Sequence, residues 1–536
     1  MKRKDLKKDT LIKLAIIIGI IIAVNVLASR LFTRIDLTKN KSYTLSPISK
    51  ELVGGLKDKI VIKAFFSDNL PAPYNTLRRS VQDILNDYRS YSGGNLNYEV
   101  MNPTAEDQND DMQKEAKKYG IEPVQIQVID NDKMEVKKTY VGMAILYQGK
   151  QEVIPVIQSV ANLEYELTSA IKKLTVEKKK KVGFLQGHGE YDYTKFNNIN
   201  KILSEQYEVV KVDLNRMKAL DLDALIVLGS KSDVPEYQKY YLDQYIMRGG
   251  NVAFLLNKVV PNFQQQMVIG DVVKNNLDDM LSSYGIFVEN NLIRDAQCAS
   301  VQVQSAIGFP VQINYPYFPN ITNINRDIAA FKNLQAITLS FVSSVDVSAA
   351  NGKGLKVTPL LTTSDKSGKA DGFFLLNVEQ FQNLKKSAFD SLFNSKGVVV
   401  GAMFEGNFNS FYTGKPIPID TTKDAIPYND AFIGTSTKSS KIVAIGDADF
   451  VNEEQQRLQK DNILFFVNMV DYIVDDVGLA MIRSKDASEA PIEEVSDSTK
   501  KLIKYTNLIL PPAGVLLIGL FIWNRRKAKK KLLQNK

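Results

Sequence analysis

One cysteine and one histidine in 536 residues leave most catalytic apparatus without its parts. Cys298 alone forms no internal disulfide, so a disulfide scaffold is excluded and stability has to come from packed cores. A cysteine hydrolase needs its nucleophile on a tight strand-to-helix turn with an imidazole in reach. Cys298 stands instead in Arg294-Asp295-Ala296-Gln297-Cys298-Ala299-Ser300, without flanking glycines, and the sole imidazole, His188, follows the first strand of its domain. No Cys-His pair is expected. A phosphate loop is missing as well. Gly229-Ser230-Lys231-Ser232 imitates its end but lacks the Gly-Lys step, and Leu225 occupies the place of its first glycine. Ser92-Gly93-Gly94 falls short of an ABC signature, so any energy from ATP has to come through another polypeptide.

What is present is a foldable chain, 44% hydrophobic and 24% charged, long enough for about three domains. Its net charge of +8 suggests nucleic acid until the distribution is examined. Residues 1–13 carry a net +4 and residues 525–536 a net +7, which leaves −3 for everything between. Both basic clusters adjoin apolar segments and read as membrane topology signals, with an attraction to the lipid bilayer, and not as a nucleic-acid footprint. Residues 1–10 form a basic N-terminus, and 11–32 contain Leu14 to Ser29, LAIIIGIIIAVNVLAS, long enough with Lys13 and Arg30 snorkelling to span a bilayer. No small-x-small cleavage pattern follows, which favours an uncleaved anchor. Residues 505–523 are free of charge and form a second expected span, interrupted by Pro511-Pro512, before the basic tail 524–536. Positive charge outside both spans places the two termini in the cytoplasm and the bulk of the chain in the periplasm of a bacterial inner-membrane protein.

The first external domain is expected over 36–176. Ser46-Pro47 opens a short helix as N-cap and first helical residue. Strand 60–66, helix 76–91, strand 96–101, helix 110–119, paired strands 124–130 and 139–147 and helix 162–174 then give the order β-α-β-α-β-β-α of a thioredoxin-like fold. The redox chemistry of that fold is absent, because Ser67-Asp68-Asn69-Leu70-Pro71-Ala72-Pro73 stands where two cysteines are required.

From 178 to 480 the pattern is that of a doubly wound α/β sheet: strand 182–185, helix 197–206, strands 208–213 and 224–228, helix 235–248 and strand 251–256, completed by strands 355–362, 397–404 and 441–445 and a helix from 460 to 473. Residues 257–351 read as an insertion on the sheet's rim, with Pro310 to Pro319 an irregular loop. Residues 484–503 are acidic and serine-containing and read as a tether.

The first strand of this sheet delivers Gly187-His188-Gly189-Glu190 to its edge, where such folds bind ligands. Backbone N–H groups between the glycines, with His188 and Glu190, suit a small polar ligand or a peptide. The same residues equally make a tight turn in which His188 bonds internally. Asp447 and Asp449 join this rim only if the last strand ends beside the first; their other reading is turn and cap formation. A metal would need more ligands than these, and no cofactor is implied.

These features together resemble a known family. The Gly187-His188-Gly189-Glu190 loop, Tyr241-Leu242-Asp243-Gln244-Tyr245 leading to Gly249-Gly250, and Ile445-Gly446-Asp447-Ala448-Asp449-Phe450, enclosed between two spans, are similar to the auxiliary component of ABC-type transporters associated with Bacteroidetes gliding motility (GldG). The resemblance implies a non-catalytic, membrane-anchored, substrate-binding-type subunit that works with a polytopic membrane subunit and a separate cytoplasmic ATPase. It also implies a main external domain related to class I glutamine amidotransferases. One departure is visible, since Asn257-Lys258 stands where an acidic turn is expected. The competing functions are a transporter-independent glycan- or peptide-binding protein and an amidotransferase-like hydrolase.

Overall fold

A computed structural model describes residues 44–474 apart from short segments at 69, 71–73, 105–108, 131–132, 158–159, 177, 215–220, 264–266, 305–308, 383, 421–430 and 454–458, together with Gly19, Ile482 and positions scattered over 504–525. The expected first span lies outside the described residues except for Gly19, and so does the tether. Residues 489–536 form a compact unit of their own, in which the described positions of 504–525 are helical and expose Leu508, Leu516, Leu520 and Trp523. Among the described residues no helix is long and apolar enough to cross a membrane.

The N-terminal lobe starts with α1 (Pro47–Gly54), whose N-cap Ser46 accepts a hydrogen bond from the Ser49 amide. Next in the chain are β1 (Ile60–Phe66), α2 (Leu77–Tyr91), β2 (Leu96–Met101), α3 (Asn109–Lys118), β3 (Val124–Asp130), β4 (Lys133–Thr139), β5 (Val141–Tyr147), β6 (Lys150–Ile154) and α4 (Val160–Thr175). The sheet runs β2-β1-β5-β6, with β1 parallel to β2 and antiparallel to β5. The expected pairing of 124–130 with 139–147 is corrected here. β3 pairs with β4 over seven rungs from Val124↔Thr139 to Asp130↔Lys133 as a separate hairpin, which frees β5 for the buried sheet. The reason is composition: β5 reads Val-Gly-Met-Ala-Ile-Leu-Tyr and is buried almost throughout, whereas Lys133–Thr139 carries charge that belongs outside a core. One face of the sheet packs on α1, α2 and α4 through Val53, Leu85 and Leu167, and the other receives Ala116 of α3 against Phe65 and Tyr140.

The second lobe is built on an eight-stranded sheet. Its labelled elements are β7 (Lys181–Leu185), α5 (Asn197–Gln206), β8 (Glu208–Val212), β9 (Ala224–Leu228), α6 (Glu236–Met247), β10 (Val252–Leu255), β11 (Asn323–Ile324), β12 (Lys356–Thr362), β13 (Val399–Gly406), β14 (Ser440–Ile445) and α7 (Lys460–Ile473). The order is β11-β12-β13-β14-β10-β9-β7-β8. The five strands β8, β7, β9, β10 and β14 run parallel, and β13, β12 and β11 continue antiparallel at the far edge. The architecture is thus mixed α/β: of the three late strands expected to complete the sheet, β14 and β12 share the direction of the parallel set and β13, between them, runs against it. β9 and β10 are buried along their whole length because helices cover both faces. Phe196, just before α5, Leu203 of α5 and Phe466 of α7 occupy one face, Leu242 and Ile246 of α6 the other.

The rim between β10 and β12 departs most from expectation. Pro310–Ile321 is a twelve-residue strand, not a loop, paired with Cys298–Gln304 from Ser300↔Asn314 to Gln304↔Pro310. Its prolines displace the register, which jumps between Cys298 and Ser300. The aromatics between them hold the strand: the Tyr315 ring lies 5.0 Å from Phe318 and Tyr317 lies 5.4 Å from Phe381, in a small core shared with Phe341 and Phe374.

Candidate functional site

β7 and β9 are neighbours, yet the chain leaves β7 for α5 on one face and leaves β9 for α6 on the opposite face. Their loops diverge, and the carboxyl edge between them is the switch point at which open α/β sheets hold ligands. The Gly187-His188-Gly189-Glu190 loop occupies it. Gly187 and Gly189 have φ of 123° and 82°, and a Cβ on Gly189 would meet the Lys231 side chain at 3.1 Å.

His188 is 5% exposed and both its ring nitrogens are engaged. Nε2 lies 2.6 Å from Gln238 Oε1 at the start of α6, and Nδ1 lies 3.2 Å from Glu190 Oε1. The Gln238 amide nitrogen donates to Tyr237 Oη, which turns its oxygen toward the imidazole. With an acceptor at each nitrogen, the ring keeps both hydrogen bonds only as imidazolium. Burial pulls its pKa down, but the Glu190 carboxylate, with help from Gln238 and Asp213, outweighs burial and raises it. Glu190 is held below the usual carboxylate range for the reciprocal reason: burial pushes upward and is overcome by the imidazole and by backbone amides, that of His188 donating at 2.7 Å. The His188 carbonyl accepts from the amides of Lys231 and Ser232, so the loops after β7 and β9 are joined.

Tyr191 extends this closure. Its amide donates to the Leu228 carbonyl and its hydroxyl donates to Asp449. Gly229, at φ 69°, leaves room for its ring, which a Cβ would strike at 2.9 Å. Asn257, just beyond β10, donates to Asp449 Oδ1 at 3.0 Å and accepts from the Ala448 amide at 2.6 Å. Through Tyr191 and Asn257, then, the loops after β7, β10 and β14 meet although β7 and β14 are not adjacent. Asp447 points into the rim, where it accepts from the amides of Ser340 (2.6 Å), Asp449 (2.6 Å) and Phe450 (3.3 Å). Burial first, and the Asp449 charge second, push its pKa well above the carboxylate range.

The geometry therefore brings Gly187, His188, Gly189, Glu190 and Asp449 into one connected network and ties Asp447 to its edge. Sequence reasoning missed Tyr191, Gln238 and Asn257. Tyr191 adjoins the glycine loop and could have been found there, whereas Gln238 and Asn257 carry no local signal. Lys258, beside Asn257, is buried and pairs with Asp278 at 2.5 Å. Cys298 stands on the rim strand with its thiol pushed up to about 11 by burial and by Asp295, which makes it a poor nucleophile. His188 is committed to Glu190 and Gln238. Among the described residues no three His, Cys, Asp or Glu side chains gather as metal ligands would.

A second buried polar centre lies along α6. Asp243 accepts from Tyr284 Oη (2.7 Å), Ser410 Oγ (2.7 Å), the Phe411 amide (2.8 Å) and Gln244 Nε2 (3.0 Å). Gln244 bonds both backbone groups of Ile433, and Lys239 pairs with Glu236 and Asp279. The helix is thereby fastened to the segment beyond β13.

Comparison with known proteins agrees with this division into lobes. Residues 39–146 match a domain family of unknown function, and residues 179–475 match a family described as an ABC-type uncharacterized transport system. An uncharacterized protein of Borreliella burgdorferi is 24% identical over 97% of this chain and 99% of its own length. Among solved structures, the N-terminal domain of mmIFT52 aligns over 55% of this chain and 97% of its own at 11% identity and a TM-score of 0.33. Human ERp44 aligns over 31% and 44% at 12% identity and a TM-score of 0.16. The transport-system match spans more than half of the 536 residues, and the chain belongs to that ABC-type transport auxiliary family.

Proposed function

We propose that this protein is a non-catalytic, membrane-anchored auxiliary subunit of an ABC transporter complex of the gliding-motility type. Its partners are a polytopic membrane subunit and a separate cytoplasmic ATPase. In this reading, segments 11–32 and 505–523 hold it in a bacterial inner membrane with both termini cytoplasmic. The external lobes are a thioredoxin-like module without its cysteines and a degenerate amidotransferase-like module.

One observation supports the non-catalytic role above others: the rim where a sheet of this kind keeps its reacting groups is closed by its own side chains. His188, Glu190, Tyr191, Asn257 and Asp449 take partners within the rim, and among the described residues the sole imidazole is committed to Glu190 and Gln238. Such a rim serves as a rigid framework through which movement of the membrane partner reaches the outside. Purification of the full chain in mild detergent tests the reading. Recovery of a stoichiometric ATPase and a polytopic subunit is the expected result. Recovery of the chain alone would favour a transporter-independent binding protein. Replacing both apolar segments by unrelated spans should weaken the complex, and an unchanged complex would remove the spans from the contact.

A further inference from the structure

The N-terminal lobe contains a pocket of about 420 Å³ that the second lobe does not help to form. Its wall is the outer face of α3, and its floor is the segment between α3 and β3 together with Tyr140 at the entrance to β5. The lobe's sheet fixes this arrangement. Ser67, directly after β1, donates its amide to the Tyr140 carbonyl, and the Tyr140 amide donates to Ser67 Oγ at 2.9 Å. The Tyr140 ring then packs in a small core with Phe65, Ala116 and Ile121.

Tyr140 is 7% exposed, yet its hydroxyl has no hydrogen-bond partner among the described residues. Burial, and then the nearby Glu122 carboxylate, raise its pKa, so the phenol remains a donor at any physiological pH. Ala116 of α3 shares that small core with Tyr140, and Gln113, Lys114 and Lys117 of the same helix line the pocket. Lys117 has no ion-pair partner among the described residues, and Lys114 has only a distant one, Asp111 at 3.7 Å with both side chains in solvent. An unused hydroxyl donor and two ammonium groups thus surround a pocket whose remaining floor, Ile121 and Pro123, is apolar.

We propose that this pocket binds a carboxylate carried on a short apolar stem, the chemistry of a glutamate side chain presented by a partner polypeptide. The phenol and Lys117 receive the two oxygens, and Ile121 and Pro123 cover the stem. Glu122, exposed at the mouth, repels a bare dianion and so selects a singly charged group over phosphate.

Ligand-observed saturation-transfer NMR on the full-length protein in detergent tests the assignment, with butyrate as probe. Butyrate should receive saturation and be displaced by N-acetylglutamate but not by butylammonium or inorganic phosphate. Tyr140→Phe, which keeps the ring and the packing, should weaken binding about fivefold, the loss of one hydrogen bond of about 1 kcal/mol. Lys117→Glu, at an exposed position where folding is indifferent, should abolish it. Absence of saturation, equal saturation in Lys117→Glu, or displacement by butylammonium would each overturn the proposal. Displacement by phosphate would overturn it in favour of a general anion site.

Discussion

Replacing His188 by alanine removes two side-chain hydrogen bonds and leaves the buried Glu190 carboxylate supported by backbone amides alone. A hydrogen bond to a charged group contributes about 1.5–3 kcal/mol, and a buried charge left without its partner costs about 3–5 kcal/mol. Because the His188 amide still reaches Glu190, the low end applies, about 3 kcal/mol. Unfolding entropy of about 2.1 cal/mol/K per residue over a lobe of about 300 residues converts this to a fall in Tm of about 5 °C, measured by calorimetry on the full chain. His188→Ala with Glu190→Gln removes the stranded charge and should recover about 1–2 kcal/mol. The pH dependence is a second check. His188 has a raised pKa in the folded protein, so its contribution is complete below its unfolded pKa, about 6.5, and is lost as pH rises through the folded value. Glu190 has a lowered pKa, so its contribution is present above its unfolded pKa, about 4.3, and is lost as pH falls through the folded value. The gap between wild type and the double variant should therefore be widest between about pH 4.5 and 6.5 and should narrow on both sides. A pH-independent gap, or a fall below about 1 °C for His188→Ala, would refute the imidazolium assignment.

Asp243→Ala strands Tyr284 Oη and Ser410 Oγ in the core and releases the segment after β13, for an expected loss of about 3–5 kcal/mol read as a shift in the urea midpoint. Tyr191→Phe deletes the bond to Asp449 while leaving the ring seated over Gly229; it should cost about 1–2 kcal/mol and increase amide exchange in residues 187–191 and 447–450 before any other part of the sheet. Cys298→Ala should leave Tm and any measurable turnover within error, because a thiol pushed up to about 11 stays protonated, and a lost turnover would restore the hydrolase reading.

Much of the fold was legible because local chemistry and tertiary environment agree. Ser46-Pro47 caps α1 as its residue types require, and helices α2 to α6 lie within two residues of their expected bounds. Legibility failed where tertiary packing overrode a local signal. Pro310, Pro316 and Pro319 argue for a loop, and the aromatic core around Tyr315 and Tyr317 nevertheless holds the segment as a strand. Lys133–Thr139 does not read as a strand of its own, because lysine and glutamate interrupt its apolar pattern and Tyr140 is no turn residue that would mark the break between β4 and β5.

The candidate site shows a different limit. Two glycines around a histidine after a strand determine that a tight turn will stand at the switch point, and they did so here. Whether that turn is open to a ligand depends on what meets its polar groups, and those partners are remote: Gln238 is 50 residues from His188, and Asp449 is 258 residues from Tyr191. Gln238 belongs to no motif, and the string that holds Asp449 does not say which loop it will meet. A glutamine two residues into a helix and an aspartate after a late strand are ordinary in any α/β sheet, and only the strand order β14-β10-β9-β7 makes them neighbours of the loop. The same Gly-His-Gly-Glu string with an apolar residue at 238 would leave Nε2 without this acceptor. Position 238, rather than the glycine motif, therefore distinguishes a framework loop from a binding loop on this fold, and a Gln238→Leu variant should expose that difference as an imidazole whose pKa falls toward, or below, its unfolded value.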